Sequence, residues 1–150
     1  MKKKWRAVFF TFTGGFLLII GAILVFPEWV FPELSPTYVQ TLETNWGLLL
    51  PPPNKERVIK NTREFHGDGD AITELQYQQA SDIQSIKHLS ASWISGKKFK
   101  ELKNQFPVWV SDLLTEVDNE AIYFYLRKAG SDYIVFELKG NKVTIYESYI

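Results

Sequence analysis

A chain of 150 residues, 45% hydrophobic and 15% aromatic, has room for one packed domain and an appendage and is too apolar to remain disordered. Its 17 basic and 17 acidic residues cancel, but Lys2, Lys3, Lys4 and Arg6 crowd the start, so 13 cations face 17 carboxylates over the rest. That acidic remainder argues against nucleic acid as a partner, which requires a basic surface. The lack of cysteine excludes disulfides, thiolate metal sites, a cysteine nucleophile and lipoprotein acylation, and suits an extracytoplasmic Gram-positive protein as well as many cytosolic ones.

From Ala7 to Phe26 the chain reads "AVFFTFTGGFLLIIGAILVF", without a charge. At 1.5 Å per residue this reaches about 30 Å, enough to cross the hydrocarbon of a bilayer as a helix. Trp5 and Trp29 flank the run at interfacial positions, and the four leading cations predict a cytoplasmic N-terminus with the C-terminal part exported. The competing reading is a cleaved secretory signal. The run exceeds the usual core of such a signal, and "VFPEWVFPELSP" after it lacks a small-x-small cleavage pattern, so a single-pass anchor spanning 7–26 is expected.

Pro27, Pro32 and Pro36 end that helix, and Pro51, Pro52 and Pro53 form a stiff extended segment, making 27–53 a proline-rich juxtamembrane stalk and 54–150 the domain. Within the stalk Tyr38, Leu42 and Trp46 recur every fourth residue, which suits a short amphipathic helix. "RVIKNTREF" and "AITELQY" read as strands joined through "FHGDGD". Ser81 is a plausible N-cap for a helix carrying Ile83, Ile86 and Leu89, with His88 at its cationic end. Phe99, Leu102 and Phe106 mark a second helix, and Pro107 opens or kinks a third turn bearing Trp109, Leu113 and Leu114. "AIYFYLRK", "DYIVFELK" and "KVTIYESYI" are strands of an antiparallel meander. The expected fold class is α+β: a transmembrane helix followed by a small ββααβββ domain, its five-stranded antiparallel sheet covered by helices on one face. Ile122, Phe124, Leu126, Ile134, Phe136 and Ile145 should supply most of its core.

The one constellation for chemistry is His66, Gly67, Asp68, Gly69 and Asp70. Alternate residues of a bent loop could aim His66, Asp68 and Asp70 at a cation, with Zn, Mn or Fe suiting the mixed set and Ca the Asp-Gly-Asp core. The calcium-loop pattern is incomplete, with Ile72 and Gln79 where oxygen ligands belong. Against this stands a hairpin turn in which the glycines supply positive φ and Asp68 bonds local backbone. Lys97, Lys98, Lys100 and Lys103 form the basic cluster of the exported part, either attracting an anionic polymer or lipid headgroups or simply solvating a helix face. No nucleophilic triad order, phosphate loop, HExxH or dinucleotide fingerprint occurs, and no cofactor is expected.

"REFHGDGDAITELQY", the helix "DIQSIKHL" and the closing "YFYLRKAGSDYIVFELKGNKVTIYESYI" together resemble a set of small Firmicutes proteins with no established activity. In these an HGDG turn precedes a strand and some members carry an N-terminal membrane segment. The resemblance implies an α+β domain and a Gram-positive source. "TREF" stands here where the set often has "HGGF", so a second loop histidine is missing. The expected function is a membrane-anchored, non-catalytic module that binds an envelope protein or small ligand, with the bilayer itself a partner through 7–26. An immunity-like or envelope-stress protein and a metal-dependent hydrolase built on His66, Asp68 and Asp70 are the alternatives.

Overall fold

A computed structural model of the chain describes Gly21 and residues 36–64, 67–114, 116–128 and 130–150. The expected span at 7–26 therefore lies outside the described residues apart from Gly21, as do His66 and the side chains of Trp109 and Leu113. Among the described residues no helix is long and apolar enough to cross a membrane. The chain divides into two compact units, 1–47 and 48–150.

In the first unit, α1 spans Tyr38–Trp46. Thr37 caps it reciprocally: its hydroxyl accepts from the Gln40 N–H at 3.4 Å and the Gln40 amide oxygen accepts from the Thr37 N–H at 2.8 Å. Leu42 and Trp46 are buried, so the four-residue spacing does mark one apolar face.

The second unit begins at Leu48, upstream of the triple proline, with Leu48 and Leu50 buried. It contains β1 (Lys55–Asn61), β2 (Gly69–Gln76), α2 (Ala80–Lys87), β3 (Ile94–Ser95), α3 (Gly96–Lys103), α4 (Val108–Leu113), β4 (Ile122–Arg127), β5 (Tyr133–Lys139) and β6 (Lys142–Tyr149). The α+β class holds, but the sheet has six strands rather than five, in the order β1-β2-β6-β5-β4-β3. The added strand is the two-residue β3, whose Ile94 and Ser95 pair with Tyr123 and Ile122. Every pairing is antiparallel. The closing strand β6 inserts between β2 and β5, so the first hairpin and the final meander share one sheet.

Registers such as Phe124↔Phe136↔Ile145↔Thr73 put alternate residues on common faces. One face carries Ala71, Leu75, Phe124, Ile134, Phe136, Leu138, Val143 and Ile145, all buried. Ile122 and Leu126, expected in the same core, flank the buried Phe124 on β4 and are only half-buried. Coverage is not confined to this face: Tyr133 and Val135, which alternation points the other way, are buried too. They meet Phe99 of α3 with Val110 and Leu114, and the Phe99 ring stacks on Tyr123 at 4.4 Å. Each such side chain removed from water contributes about 1.5–3 kcal/mol. The same face over β1, β2 and β6 is polar instead, with Glu74 bridging Arg57 at 3.5 Å and Lys142 at 3.1 Å.

Helix starts differ in chemistry. Ser95 caps α3, its hydroxyl accepting from the Lys98 N–H at 3.4 Å, whereas α2 starts after Gln79 with no side-chain cap, so Ser81 lies inside the first turn instead of capping it. Pro107 opens α4, and His88 is the exposed C-cap of α2. Gly96 is imposed by contact: a Cβ there would meet the Asp118 carbonyl oxygen at 1.9 Å.

Candidate functional site

The β1–β2 connection holds the HGDG motif, and its described part is a tight turn. The Thr62 N–H donates to the Asp70 carbonyl at 2.8 Å, Glu64 N–H to the Asp68 carbonyl at 2.9 Å, and Gly67 N–H to the Glu64 carbonyl at 2.9 Å. Gly67 has φ 88° and Gly69 φ 125°, and a Cβ on Gly69 would stand 2.6 Å from the Thr62 carbonyl oxygen. The second glycine of the motif is thus required by both conformation and close backbone approach.

The motif's two carboxylates have different surroundings. Asp70, at the start of β2, accepts from Ser148 Oγ at 2.8 Å and from Lys60 Nζ at 3.1 Å, one partner per oxygen. Asp68 is exposed in the turn. Among the described residues no three His, Asp or Glu side chains gather as a metal site would need. An Asp70 already bridging β1 to β6 is a better lock on the hairpin than an open ligand.

The opposite face of this loop carries a second lock that sequence reasoning missed. Glu147 on β6 is only 1% exposed, and Arg63 Nη2 donates to its Oε2 at 2.5 Å. Tyr149 Oη donates to the other oxygen at 2.6 Å, while the Arg63 guanidinium lies 4.8 Å from the centre of the Tyr149 ring. Arg63 Nε is buried and finds no acceptor among the described residues. A carboxylate buried this deeply is tolerable only with such charge-assisted bonds. The signal that could have found it is an acidic residue where β6 alternation calls for an apolar one.

The helix-covered face ends in an open cleft of about 210 Å³ between the C-terminal end of α3 and the β4–β5 hairpin. Phe106 stands edge-on to Tyr125 at 5.0 Å and to Tyr133 at 5.9 Å. Tyr133 is buried but Tyr125 keeps 41% of its surface in water. Arg127 forms the lip, its guanidinium 5.5 Å from the Tyr133 ring centre and donating to the Gly130 carbonyl at 3.3 Å. Gln105 and Leu102 close the helix side. A second hollow of about 320 Å³ lies by Lys100, Lys103, Glu116 and Val117, but the Lys103 ammonium there is bound to the Leu114 carbonyl oxygen.

Deeper in this face, burial raises the Tyr123 and Tyr146 phenols well above their ordinary range, helped at Tyr146 by the Glu137 carboxylate it donates to at 3.0 Å. Such phenols stay protonated at any physiological pH and serve as hydrogen-bond anchors, not as bases. No family model, no curated protein and no solved structure matches this chain.

Proposed function

We propose that this chain is a single-pass membrane protein of the cell envelope whose extracytoplasmic α+β domain is a non-catalytic ligand- or protein-binding module. The uncharged run from Ala7 to Phe26 behind four cations supports the anchor and its orientation. The observation that carries the binding reading is the aromatic cleft, where Tyr125 and Arg127 stand open beside rings that are otherwise packed. The hydrolase alternative loses support because Asp70 is engaged by Lys60 and Ser148, leaving Asp68 as the motif's only exposed described carboxylate. A Firmicutes kinship through the HGDG turn fits the same proposal and supplies no activity of its own.

The test is topological. Full-length protein produced in a bacterium should stay in carbonate-washed membranes at its uncleaved mass, and protease added to intact spheroplasts should digest the C-terminal domain. Recovery of a soluble form shorter by about 25 residues would replace the anchor with a cleaved signal. A domain protected until lysis would reverse the orientation.

A further inference from the structure

We propose that the cleft between α3 and the β4–β5 hairpin is a binding site for a sugar carboxylate, a pyranose ring bearing an acid group, as found along acidic polysaccharides. This deepens the binding-module reading and depends on it.

Three features of the cleft converge on that chemistry. Tyr125 offers a partly exposed ring, held edge-on by Phe106 at 5.0 Å, and a flat aromatic surface of this kind stacks against the C–H face of a sugar. Arg127 is held in place by the Gly130 carbonyl and the Tyr133 ring, so its planar fork is pre-organised and its remaining N–H groups can take a carboxylate in bidentate fashion. Gln105 adds an amide, able to donate and accept, which suits neighbouring hydroxyls.

Size and charge narrow the choice further. About 210 Å³ accommodates one ring with its substituents and falls below the roughly 300–1,000 Å³ of pockets that enclose larger ligands, so one residue of a chain would enter while its neighbours run past. No carboxylate lines the cleft among the described residues, so the Arg127 charge meets no acidic competitor there for an anionic ring.

The experiment is a titration of the full-length protein in nanodiscs with three probes: tetragalacturonate, neutral maltotetraose and tetraglutamate. Binding is followed by calorimetry, and saturation-transfer NMR reports which ligand protons lie near aromatic rings. The acidic sugar should bind at least tenfold tighter than either control, with transfer to its ring protons. Tyr125→Ala and Arg127→Gln should each weaken it about tenfold or more, Arg127→Lys by less, and Asp68→Ala should leave it unchanged, all with near-UV circular dichroism like that of the parent. Equal binding of maltotetraose would remove the carboxylate from the proposal, and equal binding of tetraglutamate would make the site a peptide or simple anion site. Failure of all three probes, or binding indifferent to Tyr125 and Arg127, overturns it. Release of shorter sugars from the tetramer would instead overturn the non-catalytic reading while leaving the ligand assignment standing.

Discussion

Strands β1 and β5 are both seven residues long, yet β1 is exposed at every position and β5 is buried at its first four. "KERVIKN" pairs only with β2, at the rim of the sheet, and a register shift between Val58 and Lys60 bends it there. Charged residues and a bulge are the usual guards of an open edge. "YIVFELK" lies between β4 and β6, with the apolar sheet face on one side and α3 and α4 on the other. Position in the sheet order, more than β-propensity, decides what a strand side chain is worth.

Breaking β5 should have the largest effect. Phe136→Ala, at a fully buried site, should destabilise the domain by about 3–5 kcal/mol in denaturant unfolding of the full chain. A loss near zero would mean the two strands are energetically alike. Glu147→Ala strands the Arg63 cation and should cost about 3 kcal/mol, the lower end for a broken buried pair because Arg63 retains partial exposure. Glu147→Gln, which keeps a hydrogen-bond acceptor, should recover part of that loss. Gly69→Ala, forced against the Thr62 carbonyl at positive φ, should lower stability by about 1–3 kcal/mol and loosen the hairpin at its loop end, read as faster amide exchange in residues 60–70.

Alkaline titration separates interior from rim by charge. The buried Tyr123 and the half-buried Tyr146 keep their protons in the folded state above the pH near 10 where an unfolded tyrosine loses its own. Above that pH the unfolded chain therefore binds fewer protons, and stability must fall as pH rises, while below about pH 9 these groups contribute no slope. The thermal midpoint should drop by several degrees between pH 9 and 11, less so in Tyr146→Phe, and an unchanged slope in that variant would remove Tyr146 from the account. The smallest effect belongs to β1: Ile59→Thr, at an exposed edge position, should stay within about 0.5 kcal/mol of the parent.

The same contrast explains what the sequence could reveal. The meander was legible because β4, β5 and β6 are rich in β-branched and aromatic residues between short turns. β3 was not, since two residues carry no period. Alternation also misplaces Tyr133 and Val135, because it says which residues share a face and not whether helices will later cover that face. In the HGDG segment the turn could be read locally, but the fate of Asp70 depends on Ser148, 78 positions away, and Arg63 meets Glu147 across a separation of 84. The cleft was invisible for a similar reason: Phe106, Tyr125, Arg127 and Tyr133 come from three segments that only the sheet brings together.

The insertion of β6 between β2 and β5 also sets an order of events. A chain emerging from its N-terminus presents the β1–β2 hairpin early, but residues 69–76 must wait for partners at 142–149, made long after them. Long-range closures of this kind fold slowly and leave an unpaired strand edge exposed meanwhile. Strand β6 thus behaves as a keystone. Loss of residues 142–149 would deprive β2 and β5 of their common neighbour, leaving two unfinished half-sheets open to self-association where one domain should stand.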